Sequence, residues 1–339
     1  MLKPHVMHPV VRSVAGLCLF VAACAGVPPP PAGAQDQAFD IRSSSLPFKI
    51  DEPSATQVGR LIWRGGISMT ASPRGFGGWS DLHVSPDGRA LTSISDEGAW
   101  FDAAIDYDAQ GNLIGLSAAR IGQLRGLDGK PIVSKAEADV EGMARLPDGS
   151  WLVSFERRHR LWRYATLTTT PTPVEGPAEI DRQPANGGIE SLTALADGRV
   201  IAISEEYTER PGTVMGWIGT PTAGGGYLWR PFDYATIPDF RPTAITVLPD
   251  GSLAALERAF DMVRGVRCRV MRIDAAQFRP GATIRGEELA RLASPYAVDN
   301  LEGIAATRGA RGETLLWLIS DDNFNRVQRN ILLLFELAK

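Results

Sequence analysis

Glu141, Glu190 and Glu302 open equivalent stretches of this chain, and Asp96, Glu205, Asp299, Asn300, Asp321 and Asn323 fall near them in the same repeat register. Carboxylates and amides in such number are ligands for a hard cation such as Ca2+, which takes roughly six to eight oxygens in irregular geometry. Buried together without a cation, they would repel one another or take up protons. The alternative for any one of them is a strand-end cap bonded to backbone amides and facing water. Glu141, Glu190, Glu302, Asp299 and Asn300 are therefore candidate ligands, with Ca2+ the expected divalent cation. Ser80 and Thr243 hold the same place in two further copies, which excludes a symmetric ring of carboxylates.

The run Glu156-Arg157-Arg158-His159-Arg160 supplies positive charge. A guanidinium fork matches phosphate or carboxylate oxygens, and beside a cation it suits ester hydrolysis in which the metal polarises the ester and activates water. In that reading Glu141 acts at the metal, Arg157 and His159 engage the substrate anion, and Asp96 or Asp321 orients water. The bland alternative is a charged hairpin connection salt-bridged to its neighbours. His83 and His159 are the histidines beyond the N-terminal segment, so a histidine base must be one of them. No Gly-x-Ser-x-Gly elbow, His-Glu-x-x-His motif or Cys/His cluster occurs, which argues against an elbow serine hydrolase and a zinc hydrolase. His83 reads as structural, Cys268 as a buried small residue, and Gly224-Gly225-Gly226 lacks the strand-to-helix setting of a phosphate loop.

What positions these residues is a repeat. An acidic or small polar residue stands seven positions before Asp-Gly: Ser80 before Asp87-Gly88, Glu141 before Asp148-Gly149, Glu190 before Asp197-Gly198, Thr243 before Asp250-Gly251. A fifth copy at Glu302 replaces the pair with Arg308-Gly309-Ala310-Arg311-Gly312. Asp-Gly accepts the positive φ of a tight hairpin turn. The β-rich segments beyond it end in Asp96-Glu97, Glu156-Arg157, Glu205-Glu206, Glu257-Arg258 and Asp321-Asp322-Asn323. A hairpin returns the chain to its starting end, so opening and closing acids share one end. Further strand candidates follow, giving about four per repeat, the content of a propeller blade. The expectation is an all-β chain folded as a single β-propeller with five signature repeats, six blades if an N-terminal one lacks the signature. Arg60 to Thr70 closes the ring against Asn330 to Leu337. A β-sandwich with Asp-Gly turns is the alternative. The tryptophans fill the wedges between blades, Thr166 to Pro177 is a surface excursion, and Glu205 to Trp217 is a lid candidate.

The formal net charge is -4, and no basic stripe with interleaved aromatics occurs, so nucleic acid is not an expected partner. Small-molecule esters and cations are, and no specific protein partner is inferred. Lys3 and Arg12 precede the apolar run Val14 to Val27, which reads as an export signal. Val21-Ala22-Ala23-Cys24 resembles a lipobox, implying membrane attachment through a lipidated Cys24; cleavage after Ala32-Gly33-Ala34 is the rival. The expected organisation is a signal peptide over 1–24, a Pro-rich disordered linker over 25–45 and the propeller over 46–339, placed in the bacterial cell envelope, periplasmic or lipid-anchored. Cys268 alone among three cysteines lies in the folded part, so no intramolecular disulfide is expected there.

Phe76-Gly77-Gly78-Trp79-Ser80-Asp81-Leu82, Ser85-Pro86-Asp87-Gly88, Ser95-Asp96-Glu97-Gly98, Asp139-Val140-Glu141-Gly142-Met143 and Leu152 to Arg160 resemble the phytase-like family, described as esterase-like activity of phytase, from about Gly59 to Leu337. The resemblance implies an exported bacterial propeller hydrolysing phosphate or carboxylic esters with calcium. Glu141-Gly142 and Glu302-Gly303 are also similar to the glutamate that opens a blade in lactonase and calcium-binding propellers. The dense acidic and lysine-rich clusters that a highly charged inositol phosphate would favour are missing, which argues against phytate as the substrate. The expected function is an exported hydrolase of esters, foremost phosphomonoesters; the alternatives are a non-catalytic envelope-binding propeller and a lactonase-type metal-dependent hydrolase.

Overall fold

The computed structural model describes residues 36–73 and 75–338. The leader, Cys24 and the rival cleavage site lie outside these residues. Five sheets follow one another along the chain, antiparallel except where Thr283–Ile284 pairs parallel with the outer strand of the third. Blade one contains Trp79–Val84, Ala90–Ser95, Ala99–Tyr107 and Leu113–Gln123, and blade two Val140–Arg145, Trp151–Phe155, Arg160–Tyr164 and Thr172–Val174. Blade three contains Ile189–Ala194, Val200–Ser204, Thr213–Pro221 and Tyr227–Ala235; blade four contains Arg241–Val247, Leu253–Asp261, Gly265–Ile273 and Glu287–Ala293. Blade five is composite: Leu301–Arg308, Thr314–Ser320 and Ile331–Leu337 come from the end of the chain, and Leu61–Ala71 from its beginning. The first strand of each blade contacts the first strand of the next, and blade five contacts blade one, closing a five-bladed propeller.

In each Asp-Gly turn glycine alone takes positive φ; those of blades two, three and four are three-residue loops, and that of blade one is a residue longer, with Ser85 Nα donating to the Ala90 carbonyl at 2.8 Å. Gly149 Nα donates to the Leu146 carbonyl at 2.9 Å and Leu146 Nα to the Ser150 carbonyl at 2.9 Å, with φ of 84° at Gly149. This is a type I turn with a glycine bulge. The fifth copy makes the same turn without Asp: Gly312 Nα donates to the Gly309 carbonyl at 2.9 Å and Gly309 Nα to that of Glu313 at 2.8 Å. Glycine is the required residue; aspartate adds a bond from its side chain to the amide two residues on, as Asp148 does to Ser150 at 3.0 Å.

Apolar side chains fill five wedges, one between each pair of blades. Trp79, Trp217 and Trp317 are fully buried in them. The domain begins earlier than Ser45. Gln37–Phe39 pairs with the outer strand of blade one and Ile41–Ser45 with Leu61–Ala71. Phe39 packs on Phe76 and Phe101 at 5.7 and 6.0 Å between ring centroids, and this apolar contact outweighs the polar composition around it. Thr172–Val174, read from sequence as an excursion, is the outer strand of blade two. An edge position tolerates Pro173, since its missing N–H points away from the ladder.

Candidate functional site

The cross-strand register explains the opening residues. In all five blades a β-bulge interrupts the pairing of the first and second strands: Trp79 faces Ser95 and Asp81 faces Ile94, with Ser80 skipped. The same break skips Glu141, Glu190, Thr243 and Glu302. A bulge re-aims the unpaired side chain, and five bulges at one end gather these residues around the central axis. The glycine after Glu141 and Glu302 follows from crowding. A Cβ on Gly142 would lie 2.5 Å from the Glu190 carbonyl oxygen, and one on Gly303 2.9 Å from Leu82 Nα, so neighbouring blades pack directly on these backbones.

The second strand of each blade supplies the other half of the mouth. One residue past the pair that flanks each bulge on its mouth side stand Asp96, Glu156, Glu205, Arg258 and Asp321. Four are acids and the fifth is an arginine. Glu257, expected among the closing acids, is turned into the core, where Arg269 Nε donates to it at 2.6 Å and Tyr234 Oη at 2.7 Å.

Asp139, Glu141 and Glu156 are buried, and each brings a carboxylate oxygen within 4.8 Å of the others. Lys135 Nζ lies 2.6 Å from Asp139, and Arg157 also pairs with Asp139. Glu156 accepts from Gly188 Nα at 2.9 Å. Across the mouth, Arg258 lies 3.5 Å from both Glu205 and Glu302, and its Nε is buried without an acceptor. Asn300 Nδ2 donates to Glu302 at 2.6 Å and to Asp321 at 3.5 Å. Asp96 accepts from Lys135, while its Oδ1 is buried and unpartnered.

Burial and mutual repulsion raise these carboxyls together. Glu141 is held well above its ordinary range by burial, then by Glu156, Glu302 and Asp139. Glu190 is raised by burial, then by Glu205, Glu141 and Glu302, against the pull of Arg258. Burial, offset by the Gly188 amide, puts Glu156 at about 7. Burial, offset by Arg258, puts Glu302 at about 7, and burial beside Glu302 puts Asp321 at about 9. Buried carboxyls so close cannot all ionise without a compensating cation. The orphaned Asp96 oxygen and the all-oxygen donor set fit a hard divalent ion, and the Asp139, Glu141 and Glu156 triad can bind a metal.

The structure thus brings Asp96, Glu141, Glu190, Glu302, Asn300 and Asp321 to one mouth. Asp299 is elsewhere engaged: it accepts from Asn300 Nα at 3.1 Å and from Arg329 Nε at 3.1 Å. Arg157 stands at the edge of the acids, tied to Asp139. His159 Nε2 lies 3.0 Å from the Pro184 carbonyl, and burial lowers its pKa. His83 is remote from the acids. It lines a cavity of about 170 Å3 formed by later residues of the first strands and packs edge-on to Trp151 at 5.2 Å. Asp139 and Arg258 were not among the sequence candidates. Asp139 precedes the opener by two positions, the offset at which Gly78, Gly188 and Asn300 also accept the amide of the closing residue.

These features define a five-bladed β-propeller with an acidic, cation-competent mouth. The family model described as phytase-like, esterase-like activity of phytase, matches residues 74–324, and the chain belongs to that family. No curated protein matches the sequence. Among solved structures, a putative gluconolactonase is 11% identical, with 78% of this chain and 92% of that one covered and a TM-score of 0.37. A luciferin-regenerating enzyme is 12% identical over 87% of this chain and 98% of that one, with a TM-score of 0.40.

Proposed function

We propose that this chain is an exported, lipid-anchored hydrolase of small-molecule esters, foremost phosphomonoesters, that works with a calcium ion at the acidic mouth. The observation that carries the reading is the approach of the Asp139, Glu141 and Glu156 oxygens to within 4.8 Å of one another in a buried setting. Membership of a family described by esterase-like activity supports the reaction class. Asp139, Glu141 and Glu156 would hold the ion, with Glu190, Glu302 and Asn300 facing it. A bound divalent cation supplies Lewis-acid polarisation of the ester and a more acidic water. Asp321 retains its proton at neutral pH, since burial beside Glu302 puts it at about 9, and it is placed to hold or deliver a proton at the mouth. Asp96 offers a free carboxylate oxygen to orient water. Arg157 remains the guanidinium nearest the triad for the ester's anionic oxygens. His159, bound to Pro184, takes no part.

Calcium titration calorimetry and a panel of phosphomonoesters, carboxyl esters and lactones test the reading. Glu141→Gln is expected to weaken calcium binding about 10- to 100-fold and to lower turnover in parallel. Hydrolysis that survives thorough chelation, or unchanged binding in this variant, would refute it.

A further inference from the structure

The face bearing the acidic mouth also bears the most exposed apolar side chains of the described residues. Val133, Met262, Val263 and Val327 are 88, 89, 93 and 90% exposed. Their positions follow from the strand register. Met262 and Val263 cap the hairpin between Leu253–Asp261 and Gly265–Ile273, which continues three residues beyond Arg258. Val327 lies on the loop between Ser320 and Ile331 that starts with the mouth residue Asp321. Val133 is two residues from Lys135, which binds Asp96 and Asp139. At the opposite end lie the polar glycine turns, with Ile114 and Leu228 only about half exposed.

Each apolar tip stands on a different blade connection. The tips stand on the mouth-side connections of blades four, five and one, and each can enter the headgroup region of a bilayer, a depth of about 5–10 Å. Arg326, exposed beside Val327, offers a cation to anionic headgroups. The course of the chain gives the same direction. Gln37 pairs with Ile121 and Phe39 with Ala119, so the first strand runs inward from the mouth end of Leu113–Gln123. Asp36, where the described chain begins, therefore lies at the mouth end of that strand. Cys24 stands twelve positions earlier, at most about 40 Å of chain, late in the apolar run.

We propose that the mouth face docks on a phospholipid bilayer through the tips at Val133, Met262, Val263 and Val327, presenting the acidic site to amphiphilic esters held in that surface. The choice of a bilayer rests on the anchored-export reading above; the placement of the tips does not. The test uses the chain from residue 36, which contains the complete closed ring, so that docking is measured without the anchor. Co-sedimentation with phosphatidylethanolamine and phosphatidylglycerol vesicles should show binding. Met262→Ser with Val263→Ser should weaken it about tenfold or more, Val133→Ser and Val327→Ser each less, and Ile114→Ser with Leu228→Ser not at all. Thermal unfolding of each variant should match the parent, since all the sites are exposed. Glu141→Gln should bind vesicles as the parent does, which separates failure of the metal reading from failure of docking. Absence of vesicle binding, or equal losses at both ends, would overturn the proposal. So would a dimer in light scattering that the Met262 and Val263 changes abolish, because the tips would then belong to a second copy.

Discussion

Arg258 holds the register place that Asp96, Glu156, Glu205 and Asp321 hold in the other blades, and it makes the mouth asymmetric. Its charge lies 3.5 Å from Glu205 and Glu302 on the flanking blades, and their carboxylates, with Glu190, raise its pKa. Arg258 is thus the counter-ion shared by the acids of blades three and five, while in blade two Lys135 and Arg157 both bind Asp139 and Glu141 and Glu156 form no salt bridge among the described residues. The proposed ion is assigned to the blade-two side because the Asp139, Glu141 and Glu156 oxygens lie within 4.8 Å of one another. Removing one partner of a buried ion cluster leaves uncompensated charge. Arg258→Gln is expected to destabilise the calcium-free protein by about 3–5 kcal/mol in urea unfolding and to tighten calcium binding. Unchanged unfolding with unchanged affinity would show that solvent already screens the cluster.

At the scale of the element, the bulge and the glycine after it act together. The bulge frees each opener from the ladder, and the absent side chain at Gly142 lets the first strand of blade three lie against blade two. A Cβ at Gly142 would also stand 2.9 Å from Ser154 Oγ, and backbone cannot yield as a side-chain tip does. Gly142→Ala is expected to cost about 1–3 kcal/mol and to shift Glu190, lowering calcium affinity as well. Gly224→Ala, whose Cβ meets only Thr222 Oγ1 at 4.0 Å, should remain within about 0.5 kcal/mol of the parent. Thermal denaturation with and without calcium compares the two. A neutral Gly142→Ala would mean that the blades separate easily at the mouth.

For the whole molecule, the gathered acids couple stability to pH and cation. Glu302 is held at about 7 and Asp321 at about 9, so the folded chain keeps protons that the unfolded chain has already released. Stability of the calcium-free protein must then fall as pH rises through these values. The buried histidine acts in the other direction: His83 is lowered to about 4, and its contribution is complete once pH exceeds its ordinary 6.5. Between about pH 6.5 and 8.5 the carboxyls dominate. Chelated protein should lose several degrees of Tm across that window, and saturating calcium should remove most of the loss. A flat chelated profile would show that the acids do not share one electrostatic field.

The propeller was legible because its determinants are local. Glycine at a fixed offset makes each turn, β-rich segments flank it, and a hairpin returns openers and closers to one end, so Glu141, Glu190 and Glu302 could be grouped before any coordinates. Ring closure by Leu61–Ala71 against Ile331–Leu337 followed from the same count. Other features depend on tertiary position. Which of Glu257 and Arg258 faces the mouth is a one-residue matter of register, decided by the bulge and by Arg269 and Tyr234 waiting in the core. Asp139 joins Glu141 and Glu156 only because its carbonyl receives the Glu156 amide at 2.7 Å. Gln37–Ser45 folds only because Phe39 finds an aromatic wedge assembled by distant strands. Spacing along the chain determined what repeats and which end is acidic; packing between blades, which brings residues far apart in sequence into contact, decided which acids meet, which pair with arginine and where the chain enters the ring.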